Sequence, residues 1–340
     1  MSKNAKTPSR QSGAKAVRAG LLSAPSNLKA LKSASDDVDS MIEGTISILV
    51  LVDRSIDTQL LAYVRENLRP QTDGVTVLVR SFKDELPDLK EFSGLDGSSG
   101  SGSSGSAGSS GSASSRSAGS SASSSDTSEA HNIDLVIVLA AESAYAGAAI
   151  KAAQGCAANV ITITTHPTEL VPQLDADDIL TQVRDIIPVP DSDTTFDAVF
   201  EELADWMARR LEDSRIILAK AYPFLRRAVG WELTRKVSFE NAMIAAVFFL
   251  PGSDMPLLTL NQMRLALQIA ALYGHPLGMK RVKEMAVVVV GAFGCRTLVR
   301  AITSRVTVAG FLIRAGIAYA ATIGVGAAAL EFYRSYEEKQ

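Results

Sequence analysis

The sequence predicts an α/β fold, a mostly parallel open sheet carrying a flexible Ser/Gly insertion, followed by an all-α helical domain. Two observations lead there. Short apolar runs alternate with helical-period segments up to about residue 190, the pattern of an open sheet whose parallel strands are covered on both faces. From residue 196 onward the period is helical throughout, with no further strand-like run.

The first element is the near-continuous apolar run Ile46 to Val52, as expected of a strand buried on both faces. Leu60, Leu61, Val64 and Leu68 then recur at helical spacing in Thr58 to Leu68, with Ser55 and Asp57 as candidate caps and Arg69-Pro70 as the stop. A second strand follows Gly74. From Gly97 to Ser125 every residue is Gly, Ser or Ala except Arg116, a composition of flexible coil. Asp134 leads into the strand Leu135 to Leu139, a helix over Ala144 to Ala153, and the strand Val160 to Thr164. The Ser/Gly segment thus reads as a loop, 94–130, inserted within one α/β domain, 41–212. Residues 1–35 carry seven Lys and Arg and no acid, so 1–40 reads as a disordered basic arm.

The helical domain, 213–340, is introduced by Phe196 to Leu211, which sets an apolar stripe against charged residues. Helices are expected next at Arg215 to Lys236, Phe239 to Leu250, Leu260 to Tyr273, Lys280 to Arg300 and Val308 to Tyr333. Cys156 and Cys295 lie far apart with no metal-ligand spacing and read as free buried thiols in a reducing compartment.

Chemistry is sparsely signalled. A phosphate-cradling loop needs glycines, a lysine and a hydroxyl after the first strand. Val52-Asp53-Arg54-Ser55-Ile56-Asp57-Thr58 has no glycine and no lysine and places two carboxylates there. Asp53 could serve as a metal or phospho-acceptor group, although a solvent-exposed or N-capping carboxylate is the plainer reading. His166, after the last of these strands, stands alone. No Ser-His-Asp order, HExxH or CxxC pattern occurs. Neither catalytic residue, cofactor nor metal is therefore expected. The net charge of −3, with no aromatic-interleaved basic module, argues against nucleic acid.

Membrane contact is signalled better. Ala309 to Leu330 has Arg314 as its only charge, and as a helix it would reach about 33 Å, the thickness of the bilayer hydrocarbon. Gly316, Ala320, Gly324 and Ala328 form a four-residue stripe of small residues along it, a surface that admits another helix closely. The basic residues of Arg215 to Lys236 and of the N-terminal arm would suit an anionic cytoplasmic leaflet. A solvated helix face, or a buried hairpin in a soluble bundle, would account for the same segments.

Pro251-Gly-Ser-Asp-Met-Pro256, Leu257 to Gln262, Ile269 to Pro276 and Gly291 to Arg300 resemble the helical domain of unknown function in YcjF-type bacterial inner-membrane proteins, also found behind Era-like GTPase domains. The resemblance covers about residues 215–335 and centres on Pro251, Asp254, Pro256, Gln262, Tyr273 and Gly274. It implies membrane association and no known activity. It also implies that the first half stands where a GTPase domain would, with Asp134 to Leu139 similar to the third-motif strand and Val160 to Thr164 to the strand before the guanine reader. Thr165-His166-Pro167-Thr168 replaces the expected Asn-Lys-x-Asp, so the half resembles a degenerate, GTPase-like scaffold. Read without the resemblance, Gly274 suits a helix C-terminus, while Asp254 and Gln262 suit a cap and an interhelical donor.

The expectation is a non-enzymatic, cytoplasm-facing membrane adaptor or scaffold with an unknown protein partner and possible homo-oligomerisation. The alternatives are a divergent nucleotide-binding switch and a soluble helical-bundle interaction protein.

Overall fold

The computed structural model describes residues 33, 36–82, 89, 133–142, 144–190, 196–247, 255–275 and 310–338. The Ser/Gly insertion, most of the basic arm, Cys295 and the helix expected over Lys280 to Arg300 lie outside these residues. Residues 36–42 are helical, and Val38 there is fully buried.

Five parallel strands form one sheet in the order β2-β1-β3-β4-β5. They are β1 (Ile46–Asp53), β2 (Val75–Phe82), β3 (Leu135–Ala140), β4 (Val160–Thr164) and β5 (Ile186–Pro188). Helices α1 (Thr58–Asn67), α2 (Ala146–Cys156) and α3 (Pro167–Ala176) connect β1 to β2, β3 to β4 and β4 to β5. Alternation along the strands divides the apolar residues between two faces. Ile48, Val50 and Val52 of β1 join Leu60 and Val64 of α1 in one cluster, while Leu49 and Leu51 join Ala149, Ile150 and Leu174 of α2 and α3 in another. Covering both faces this way is what a continuous apolar strand requires.

The helical region comprises α4 (Asp197–Arg210), α5 (Arg215–Ala221), α6 (Leu225–Val247), α7 (Met255–Leu272) and α8 (Gly310–Glu337). The breaks differ from those expected. The chain bends at Tyr222-Pro223, where proline lacks the N–H and crowds the preceding turn, and α6 then runs unbroken through the boundary expected near Lys236. In place of separate helices over Arg215 to Lys236 and Phe239 to Leu250, residues 215–247 form a short helix followed by a long one. Helix α7 starts earlier than expected, at Met255, with Pro256 in its first turn, where a missing N–H costs nothing.

One core runs from the sheet into these helices. The cluster holding β1 and α1 also holds Leu203 and Met207 of α4, Tyr222, Leu225 and Val229, Leu265 and Ile269 of α7, and Tyr333 of α8. The Gln71 amide donates to the Ala221 carbonyl across the junction at 2.9 Å. Tyr63 of α1 meets Phe196 and Phe200 edge-on, and Phe200 continues to Phe224. The Tyr63 hydroxyl donates to the Asp197 carboxylate.

Helices α6 and α8 meet through small and hydroxyl-bearing residues. Gly230 of α6 receives the Leu330 side chain, and Gly326 of α8 receives Thr234, so a Cβ at either glycine would overlap its neighbour. The stripe singled out in the sequence lies elsewhere on α8. Gly316, Ala320, Gly324 and Ala328 are all exposed, and added Cβ atoms at Gly316 and Gly324 would meet open space. Among the described residues the stripe is thus not the seam that packs α8 onto α6.

Two measurements check this account. Gly326→Ala is expected to lower stability by about 1–3 kcal/mol through overpacking. Gly324→Ala, relieved of glycine's helix penalty, should leave it unchanged or raise it by up to about 1 kcal/mol. Equal midpoints in urea for the two variants would contradict the seam. The hydrogen bond to Asp197, with burial and nearby carboxylates adding to it, pushes the Tyr63 pKa from its ordinary 10.0 up to about 12. Folded chains therefore hold a proton that unfolded chains release between those values, so stability falls as pH rises through that window. Asp197→Asn is expected to flatten the fall in Tm across that pH range, and an unaltered slope would remove the coupling.

Candidate functional site

In an open parallel sheet, ligands enter the crevice beyond the carboxyl ends of the strands where the strand order reverses. Here the chain passes from β1 to β2 on one side and then returns to β3 on the other, so the reversal lies between β1 and β3. Asp53 ends β1, and Ala141 directly follows β3. The four residues Arg54 to Asp57 are all that separate β1 from α1.

Two of the chain's own carboxylates, Asp53 and Asp57, stand at that crevice. Asp53 is fully buried. Its Oδ1 accepts the Ser55 N–H at 2.9 Å and the Ser55 hydroxyl at 2.6 Å, and its Oδ2 accepts the Ala141 N–H at 3.0 Å. Backbone N–H groups at this point are what a nucleotide phosphate would need. Asp57 does the same one step on, capping α1 by accepting the Gln59 N–H at 2.6 Å. The helix terminus, where the macrodipole favours an anion, already holds one. Ile56 is buried between the two acids, where a phosphate loop has room for its ligand. Ser55, a candidate cap in the sequence, instead anchors Asp53, and the metal or phospho-acceptor reading of Asp53 meets a carboxylate already engaged on both oxygens.

His166 lies on the same edge of the sheet. The Thr164 hydroxyl accepts the His166 N–H at 3.1 Å, the Thr165 hydroxyl lies 2.9 Å from Nδ1, and Glu142 lies 3.8 Å from Nε2. His166 precedes α3, whose first turn holds Pro167. These partners hold the half-buried ring beside Glu142, the residue that follows Ala141. Among the described residues no three His, Cys, Asp or Glu side chains gather as a metal site. Asp134, expected as a loop residue, ties the opposite end of the strands, its Oδ2 accepting the Ser47 N–H at 2.9 Å. Cys156 is a free thiol, partly buried, and desolvation raises its pKa.

The residues on which the sequence resemblance centres divide. Pro251 and Asp254 lie outside the described residues. Gln262 is buried and donates through Nε2 to the Thr322 hydroxyl of α8 at 3.1 Å. Asn241 of α6 donates to the same oxygen at 3.0 Å, and Thr322 passes its own hydrogen to the Ala318 carbonyl at 2.8 Å. One hydroxyl thus joins three helices with its donor and both lone pairs used, a node that Gln262 alone did not reveal in the sequence. Gly274 has φ of +67°, and the N–H groups of Gly274 and His275 return to the Ala271 and Ala270 carbonyls. That pairing is a Schellman cap. Tyr273 stacks on Tyr333 of α8 at 5.6 Å, and the Arg226 guanidinium lies 5.5 Å from its ring.

Comparison of the chain with protein families, with curated proteins and with solved structures finds no match.

Asp53→Ala is expected to lower the unfolding free energy by about 3 kcal/mol, because it leaves the buried Ala141 N–H and the part-buried Ser55 N–H without their acceptor. Chemical denaturation reads this directly, and an unchanged midpoint would deny the carboxylate its bracing role.

Proposed function

We propose that this chain is a non-enzymatic adaptor that docks on the cytoplasmic face of a membrane through its helical region. Its α/β half is a GTPase-like scaffold that presents a protein-binding surface in place of a nucleotide. The observation that carries this reading is the exposure of α8. Leu312–Glu337 is long and apolar enough to cross a membrane, yet only 28% of its most apolar stretch is buried. The central helix of a soluble bundle would be mostly enclosed. Leu312 and Tyr319 stand exposed on α8, and Phe239, Met243 and Val247 stand exposed at four-residue spacing on α6. An apolar surface of this kind is an interaction surface by default, and a lipid interface suits one flanked by small residues that let a bundle settle closely.

The carboxylates at the crevice support the second half of the proposal. A triphosphate would have to displace Asp53 from the Ser55 and Ala141 amides and repel Asp57 as well. Like charges at that separation in a partly buried site cost several kcal/mol. The strand order and the degenerate loops support descent from a nucleotide-binding plan without its use.

Charge contributes less to docking than the sequence suggested. Arg215 and Arg226 are buried. Arg226, Arg235 and Lys236 each pair with a carboxylate, from Glu337, Glu232 and Glu212. Attraction to an anionic leaflet therefore rests on Arg227, Lys220 and the basic N-terminal arm.

Fractionation of cells producing the full chain tests the membrane claim. The protein is expected in the membrane pellet at low and high salt, and Met243→Glu with Val247→Glu is expected to release a folded protein. Recovery of the unaltered chain in the low-salt supernatant would reject docking. Equilibrium binding with labelled GTP and ATP should show no saturation, and saturable micromolar binding would replace the adaptor with a nucleotide switch.

A further inference from the structure

A polar pocket of about 290 Å³ opens where the connector between α4 and α5 meets α6, α7 and helical residues 36–42. It is separate from the crevice at Asp53 and from the exposed apolar surface of α8. Two buried groups in its wall are left short of partners. Gln268 of α7 is 6% exposed, and its Oε1 accepts no hydrogen bond. Among the described residues its Nε2 reaches the Met41 sulfur alone, at 3.6 Å. Arg215 is 7% exposed, and its one charged contact among the described residues is Glu212 at 3.8 Å, beyond hydrogen-bonding reach. Burial lowers the Arg215 pKa, against the pull of Glu232, Asp213 and Glu240.

A buried guanidinium with open N–H groups is a bidentate carboxylate receptor. A buried amide oxygen without a donor calls for an N–H. Glu240 and Asp213 also line the pocket and make no ion pair among the described residues, while Glu212 is engaged by Lys236. The wall therefore offers two loosely held cations, the buried Arg215 and the more exposed Arg264, 3.9 Å from Asp37, beside two anions and an open acceptor. Met41, Ile216 and Leu233 add apolar lining, which a purely ionic ligand would leave unused.

We infer that this pocket binds a small zwitterion with an apolar body, of the chemical class of the free apolar α-amino acids. Its carboxylate lies on Arg215, and its ammonium lies between Glu240 and the Gln268 amide oxygen. The volume is at the lower limit of pockets that enclose small organic ligands. The pocket bridges residues 36–42 and three helical segments, so an occupant would tie the N-terminal end of the described chain to the helical region.

Calorimetric titration of the full chain with free apolar amino acids, one at a time, tests the inference. Each is paired with its decarboxylated amine and its N-acetyl derivative. At least one free amino acid is expected to bind saturably, and its two derivatives are expected not to bind. Arg215→Lys and the surface change Glu240→Gln should each weaken binding by about tenfold or more, the effect of losing one charge-assisted contact. Circular dichroism confirms folding of each variant, and Glu240→Gln decides the matter if Arg215→Lys fails to fold. The inference is overturned if no free amino acid binds, if either derivative binds as tightly, or if Glu240→Gln retains full affinity.

Discussion

The α/β half depends on a buried negative charge held by neutral donors. Asp53 reaches from the end of β1 to the amide that follows β3, so one carboxylate braces the two strands at the point where the chain reverses direction. Burying an ion is unfavourable unless hydrogen bonds replace its water, and here Ser55 and Ala141 supply them. The tight loop to α1, the burial of Ile56 and the capping of α1 by Asp57 all follow from drawing this acid inward. At the strand ends where a nucleotide-binding fold takes its ligand, this chain sets two of its own carboxylates.

The helical region applies a comparable rule with uncharged groups. Its long helices meet along glycine, threonine and asparagine, and the polar groups along that seam are largely satisfied by one another. Thr322 is the centre, receiving amide hydrogens from α6 and α7 while returning its own to α8. Asn261 extends the set by donating to Asn241 at 2.9 Å. Such a network fixes the relative rotation of three helices more firmly than apolar packing alone, because any slip leaves polar atoms without partners. The apolar residues displaced from that seam are the ones left on the outside.

Much of the architecture was legible from local patterns. A strand buried on both faces has to be apolar at every position, so Ile46 to Val52 and Leu135 to Leu139 announced themselves, and Gly274 announced the end of α7. Relations across the chain were harder to read. The role of Asp53 depends on Ala141, 88 residues away, a neighbour set by sheet register and invisible to spacing. The periodicity of α6 continues through Lys236, so only Pro223 marked the break. The small-residue stripe on α8 was found with the right period, but period does not fix which side faces inward. Thr322, Leu330 and Tyr333 decide that side, and they turn Gly316 and Gly324 outward. The pocket beside Arg215 gathers residues from four separate segments and has no linear signature.

The Thr322 node constrains how α8 could meet lipid under the proposed docking. Drawing this helix alone into hydrocarbon would abandon the amides of Asn241 and Gln262 in the protein interior and carry a lone hydroxyl into oil. Each separation is costly where water cannot follow. Helix α8 therefore travels with α6 and α7 as a unit. On the proposed docking it would meet a bilayer side-on, flanked by α6 and α7, with the exposed Gly316 and Gly324 on its outer face.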